Sequence, residues 1–181
     1  VIRSIDERAP VIISFDQPWN EYMAHTSHDM SGLHFADTLV RAQLGLAGVA
    51  LEMNLSYQPG GSLPRHALDV SRQIDHWSEL GLPLVVSLTM PSSSEPPEQS
   101  RPAAAVIADE ASGGLSCETQ RRWVEAIVPA LLAKPSVQGI IWNQLRDRRS
   151  DGFPHGGLFD SEGKAKPALE SLTALRQEHL T

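Results

Sequence analysis

Several features that mark common functional classes are missing from this 181-residue chain. Its single cysteine, Cys117, excludes an internal disulfide, and its His, Cys and acidic residues do not cluster at the spacing of a metal site. No apolar run reaches the roughly 20 residues that span a bilayer. The net charge of −7 argues against a nucleic-acid partner, because no basic stripe is available to face phosphates. The sequence therefore predicts no cofactor, no metal, no nucleic acid and no membrane partner.

The overall composition is ordinary for one soluble globular domain over residues 1–181. Hydrophobic residues make up 41% of the chain and charged residues 20%, which is enough for a sizeable core. No signal-peptide pattern opens the chain, yet its first residue is Val1 rather than Met. Either a leader has been removed, which would make the protein secreted or periplasmic, or the chain is a piece of something longer.

An alternation of strand and helix patterns is the strongest signal in the sequence. Four apolar runs have the composition of buried strands, and each is followed by a polar loop and a helical pattern. The runs are Val11–Phe15, Gly48–Leu55, Leu82–Thr89 and Val137–Leu145. The helical patterns are His34–Gly45, His66–Leu80, Ser116 to about Lys134, and Pro167–His179. This order predicts right-handed βαβ crossovers and a parallel sheet, so the fold class is α/β. A small stand-alone α/β sandwich is the simplest interpretation of that pattern.

Polar and aromatic residues follow the predicted strands. Because parallel α/β sheets bind ligands at the carboxyl ends of their strands, these residues are the candidates for a site. Indole and phenol rings stack on sugar C–H surfaces, while amides and carboxylates bond sugar hydroxyls, so the set favours an oligosaccharide or polysaccharide partner. The predicted substrate-binding residues are Trp19, Asn20, Glu21, Asn54, Tyr57, Trp142, Asn143 and Asp147.

Two carboxylates are the candidate catalytic residues. Glu52 lies inside an otherwise apolar strand, where an ionised group is costly unless it is paired or functional. It could be a general acid or a nucleophile, or it could bond neighbouring amides or an arginine. Asp16 follows the first strand and could instead cap the turn at Gln17-Pro18. Asp16 or Ser87 could also serve an α/β enzyme that does not act on sugars, although Ser87 does not stand in a G-x-S-x-G elbow.

The last third of the chain resembles the end of a family 10 glycoside hydrolase, a xylanase-type enzyme. The resemblance rests on Gly139–Asp147 (GIIWNQLRD), Gly157–Gly163 (GLFDSEG) and Lys166–Leu169 (KPAL). Upstream, Gly48–Leu55 is similar to that family's sixth strand and Leu80–Ser87 to the approach to its seventh. The resemblance implies strands five to eight of a (β/α)8 TIM barrel, with Val11–Asp16 as the fifth.

Three departures from that family bear on activity. The resemblance implies an acid/base glutamate after the fourth strand, which would lie before Val1. It implies a nucleophilic glutamate at the end of the seventh strand, where this chain has Leu88. The sixth strand carries Glu52 and Asn54 where the family tends to have an amide and a histidine. Glu52 and Asp16 are therefore the remaining acidic candidates, and neither aligns with a family catalytic position.

The length fits half of such a barrel, since a complete one needs about 250 residues and eight strands. An open four-unit sheet would expose an apolar face and two edges. The rest of the barrel is expected in a longer parent chain, or as a second copy. The leading hypothesis is a glycoside-hydrolase-like barrel fragment that acts on or binds a β-glycan such as xylan, with this chain alone inactive. The alternative is a catalytically inactive carbohydrate-binding or scaffold module.

Overall fold

A four-stranded parallel sheet organises the chain. A computed structural model describes residues 2–27, 29–95, 105–107, 114–147 and 152–179. Its strands are β1 (Val11–Asp16), β2 (Leu46–Asn54), β4 (Leu84–Thr89) and β6 (Val137–Trp142). They have the order β1-β2-β4-β6 in the sheet, and every neighbouring pair is parallel. The four predicted strands are thus confirmed in order and direction, with bounds that differ by a few residues.

A one-turn helix that was not predicted, α1 (Ile2–Ile5), precedes β1. The helices that follow the strands, as the alternation predicts, are α2 (Gly32–Arg41), α3 (Ala67–Ser78), α4 (Cys117–Leu132) and α5 (Pro167–His179). Ser116 caps α4, because its side chain accepts a hydrogen bond from the backbone of Thr119. The second helical pattern was predicted to run to Leu80, but α3 ends at Ser78 and Gly81 follows at φ +68°.

Two short strands were not predicted either. Tyr57–Gln58 forms β3 and Ala105–Val106 forms β5, and these pair as an antiparallel ribbon. The sequence instead predicts loops at Ser56–Pro64 and Pro91–Leu115. Most of the second loop, at 96–104 and 108–113, lies outside the described residues. In the described part of the chain, no helix is long and apolar enough to cross a membrane, and no group of three or more His, Cys, Asp or Glu side chains could hold a metal ion.

The hydrophobic core lies between the sheet and its helices. Alternate strand residues enter it, among them Leu51, Val86 and Leu88, which are completely buried. They pack against α3 and α4, whose core residues include Trp77 and Ile127. The residues between them in the sequence point to the other side of the sheet, away from the helices. This alternation decides which polar groups reach solvent.

Candidate functional site

The face of the sheet opposite the helices carries a row of polar side chains at the carboxyl ends of the strands. Strand register places Asp16 beside Glu52, Glu52 beside Ser87, and Ser87 beside Ile141. Together with Ser14, which lies one layer below on β1, these residues define what we call the open face. Asp16 and Ser14 are exposed, and Glu52 is half-buried. Ser14 and Ile141 therefore share one solvent-facing surface, although 127 positions separate them in the sequence.

The two predicted catalytic carboxylates are neighbours on this surface. Glu52 accepts a hydrogen bond from the Ser14 hydroxyl, at 2.8 Å between Oγ and Oε1. Its observed partner is thus a hydroxyl rather than an amide or an arginine. Asp16 is the register partner of Glu52 on the adjacent strand, so two acidic side chains stand side by side. Both can accept hydrogen bonds from a polyhydroxylated ligand.

Asn54 and Asn143 lie one layer nearer the carboxyl ends of the strands. Asn54 is 1% exposed, and its Oδ1 accepts a hydrogen bond of 3.2 Å from the Asn143 side chain. Asn143 itself is exposed and can reach a ligand. Thr89 is the register partner of Asn54 and is fully buried, and its hydroxyl has no hydrogen-bond partner among the described residues. Of these two predicted amide ligands, Asn143 is accessible and Asn54 is not.

Trp19, Asn20 and Glu21 brace the loop that follows β1. The guanidinium of Arg65 lies over the Trp19 ring at 5.1 Å, and its Nη2 lies 2.9 Å from Glu21 Oε1. Asn20 adopts a left-handed backbone, and its side chain accepts a hydrogen bond of 2.8 Å from the amide of Gly32 at the start of α2. These three predicted sugar ligands already have partners within the protein, so their present contacts are structural.

Tyr57 and Trp142 are also occupied by internal contacts. Tyr57 is fully buried, donates to the Pro154 carbonyl at 2.9 Å and packs on Phe153. Burial raises the pKa of Tyr57 far above its ordinary value, and the charge of Asp147 raises this pKa further. Trp142 donates from Nε1 to the Gly156 carbonyl at 2.9 Å and belongs to the helix-facing core. Neither ring is placed on the open face.

Asp147 forms a buried ion pair instead of projecting toward solvent. Its Oδ2 lies 2.7 Å from Lys166 Nζ, and the two side chains are 13% and 4% exposed. Its Oδ1 accepts a hydrogen bond of 2.7 Å from the Gly157 amide. Lys166 also donates to the Ser92 hydroxyl and the His155 carbonyl. Both carboxylate oxygens are therefore used to hold the loop after β6 against the body of the protein.

A groove at the carboxyl end of β1 was not predicted from the sequence. It has a volume of about 370 Å³, and it lies between Phe15 and Asp16 of β1 and the start of α2. Its walls include the rings of Tyr22 and Phe35, which can stack on a ligand, and the carboxylate of Asp29. Tyr22 could have been predicted as a ligand-binding residue, because it lies in the loop after the first strand. Phe35 could not, because it fits the apolar pattern of a helix.

Comparison with known proteins places the fold. No protein-family model matches the chain, and no curated protein matches it. Native xylanase 10B from Thermotoga maritima is a similar solved structure, at 16% identity and a TM-score of 0.65, covering 97% of this chain and 49% of the xylanase. Xylanase 10B from Thermotoga petrophila RKU-1, in complex with xylobiose, is 15% identical with a TM-score of 0.64 and the same coverage. A GH10 endoxylanase from a sugarcane soil metagenome is 15% identical with a TM-score of 0.63, covering 96% of this chain and 51% of its own.

These similarities show the fold. The chain is a parallel four-unit βα half of a (β/α)8 TIM barrel, and it spans about half the length of the xylanases it matches. The resemblance to family 10 xylanases, and with it the predicted half barrel, is confirmed at the level of the fold. The simpler interpretation, a stand-alone α/β sandwich, is wrong. The open face corresponds to the interior side of the half barrel, since it is the face without helices.

Proposed function

We propose that the open face binds a β-glycan such as xylan, as one half of a glycoside-hydrolase-like barrel, and that this half alone does not hydrolyse it. The observation that carries the proposal is the row of Asp16, Glu52 and Ser87 at the carboxyl ends of three parallel strands. That edge of a TIM barrel is where substrates bind. The xylobiose complex of a protein with the same half-barrel fold supports a xylan-type ligand.

The accessible groups suit a sugar chain. Carboxylates at Asp16 and Glu52 accept hydrogen bonds from hydroxyls, and the amide of Asn143 can both donate and accept. The aromatic walls of the groove beside Asp16 supply the stacking surface that was first predicted at Trp19, Tyr57 and Trp142. Sugar-binding sites combine such faces with a few oriented polar groups.

The expected lack of hydrolysis rests on the two catalytic positions that the resemblance implies. Retaining hydrolysis needs two carboxyl groups about 5–5.5 Å apart, on either side of the scissile bond. The resemblance assigns one catalytic glutamate to a segment before Val1 and the other to Leu88. Strand β4 carries no carboxylate: Ser87 is its polar residue on the open face, and Leu88 is fully buried on the helix side. Glu52 and Asp16 remain as the acidic groups for any residual chemistry.

The open face also needs a second half. Ile12 on β1 is 52% exposed and Ile141 on β6 is 53% exposed, and both point away from the helices at the two outer strands of the sheet. A large apolar side chain left on an open sheet face indicates a surface that another element covers. That element is the other barrel half in a parent chain, or a second copy of this chain. Light scattering distinguishes them, because only the second copy doubles the 19.8 kDa mass.

Calorimetric titration of the 181-residue chain with xylohexaose is expected to give saturable binding, with no reducing ends released over a long incubation. Glu52→Gln should weaken binding about tenfold, because it removes a charged hydrogen-bond acceptor, a change of about 1.4 kcal/mol. Glu79→Gln, on the exposed C-terminal end of α3, should leave the affinity unchanged.

Three results would count against the proposal. Absence of binding to xylohexaose would remove its basis, and equal binding of an unrelated α-glucan would remove the specificity. Turnover that disappears in Glu52→Gln would instead make the chain itself a hydrolase.

The alternative of an inactive binding module in the parent protein is favoured by the lack of a carboxylate on β4. It predicts that adding the other barrel half restores no hydrolysis.

A further inference from the structure

A second cavity lies on the opposite side of the sheet from the open face, between the first turns of α3 and α4. It has a volume of about 220 Å³. Its floor is apolar and includes Leu55, Met90 and Ile127. A cavity of about 150 Å³ is enough to hold benzene, so this one has room for a single ring with a small substituent. It is smaller than the roughly 300–1,000 Å³ of sites that hold drug-sized ligands.

The charge of the cavity wall has one sign. Arg65 and Arg122 line it, and among the residues that the structure describes, which do not include 108–113, no aspartate or glutamate does. The first turns of α3 and α4 contribute Ala67 and Thr119 to the wall, so the positive ends of two helix dipoles add to the same field. Arg65 and Arg122 have carboxylate partners, Glu21 and Glu118, but those partners lie outside the wall. The wall therefore presents donors and positive charge to anything inside it.

Two buried side-chain nitrogens of lining residues have no hydrogen-bond partner among the described residues. They are Nε1 of Trp123 and Nε of Arg65. Buried N–H groups are nearly always paired in folded proteins, and an unpaired one needs an explanation such as a missing ligand or water. Both are donors only, so the group that would satisfy them is an acceptor.

We propose that this cavity binds a small aromatic carboxylate, with the ring on Leu55, Met90 and Ile127 and the carboxylate toward Arg122, Arg65 and the Trp123 indole N–H. The apolar floor recognises the ring, and the one-signed wall with its unpaired donors recognises the anion. The cavity is separated from the open face by the sheet. The proposed carboxylate ligand and the proposed glycan therefore occupy different surfaces.

Benzoate is the probe, and benzamide is its neutral match in size and shape. Calorimetry on the whole chain is expected to show one saturable benzoate site, with benzamide at least tenfold weaker. The Trp123 indole resonance, assigned by its loss in Trp123→Phe, should shift during the benzoate titration. Failure to saturate at millimolar benzoate, or equal affinity for benzamide, overturns the proposal.

Three variants locate the site. Ala126→Phe, from an exposed position of α4 that lines the cavity, should fill it and abolish binding. Arg122→Gln should weaken benzoate about tenfold while the far-UV spectrum stays unchanged, because this side chain is 70% exposed. Arg121→Gln is the matched control, because Arg121 also pairs with Glu118 but does not line the cavity. Equal affinity in Arg122→Gln and Arg121→Gln, or benzoate binding that survives in a folded Ala126→Phe, overturns the assignment.

Discussion

Replacing Leu88 by glutamate is expected to destabilise the chain by more than about 3 kcal/mol and to create no hydrolase activity. The resemblance to family 10 enzymes suggests the opposite outcome, because a glutamate restored at this position would supply the nucleophile. Leu88 is fully buried in the core on the helix side of the sheet. A carboxylate there would be unpaired among apolar side chains, and it would point away from any sugar on the open face.

Two further substitutions distinguish the destabilisation caused by the buried carboxylate from that caused by the change of side-chain shape. Leu88→Met keeps the volume and should cost less than about 1.5 kcal/mol in urea unfolding followed by circular dichroism. Ser87→Glu places the same carboxylate on the open face, where solvent reaches it, and should be much less destabilising than Leu88→Glu. If Leu88→Glu unfolds at the same urea concentration as Leu88→Met, the assignment of Leu88 to the core is wrong. Release of reducing sugar by Leu88→Glu would show that its side chain reaches the substrate.

This contrast shows why strand register matters to any functional assignment here. Successive strand residues point to opposite faces, so a shift of one position moves a side chain from core to solvent. At 15–16% identity to the xylanases, sequence resemblance alone does not fix the position to one residue. The structure fixes the face: Glu52 and Ser87 share the open face, while Leu88 does not.

The sequence predicts the elements of the fold well because their signals are local. Val11–Phe15 is a run of β-branched and aromatic residues interrupted by Ser14, and it forms β1 with one added residue. The fourth helix was predicted from about Pro167 to His179, and α5 has those bounds. Both signals come from residue patterns within single elements of the chain. The half barrel follows from counting such units against the eight of a complete barrel.

The candidate site was harder to predict because its contacts are distant in sequence. Tyr57 bonds the Pro154 carbonyl across 97 positions, and Asp147 is engaged by Lys166 across 19. A polar or aromatic residue after a strand gives no sign of whether its partner is a sugar or a loop that folds back. The pairing of Asp16 with Glu52 on adjacent strands likewise comes from the register in the structure. The prediction missed Ser14, which is exposed and bonds Glu52, and Tyr22, which is half-buried and lines the same groove as Asp16.

Replacing Lys166 by methionine is expected to lower the free energy of unfolding by about 3–5 kcal/mol, because it leaves the buried carboxylate of Asp147 without its counter-ion. Lys166 is 4% exposed and also bonds Ser92 and the His155 carbonyl, so three contacts are lost together. The measurement is urea-induced unfolding followed by circular dichroism. Lys164→Met is the matched control two residues away, where the side chain is exposed and the expected change is under about 0.5 kcal/mol.

A double variant tests whether the loss comes from the unpaired charge. Asp147→Asn keeps an oxygen to accept the Gly157 amide but removes the negative charge. Combined with Lys166→Met, it should be less destabilising than the sum of the two single variants, with a coupling of about 1–3 kcal/mol. Strict additivity would mean that Lys166 acts through Ser92 and His155 alone. A coupling of the expected size assigns Asp147 to the stability of the loop after β6, which leaves Asn143 as the residue beyond that strand available for sugar binding.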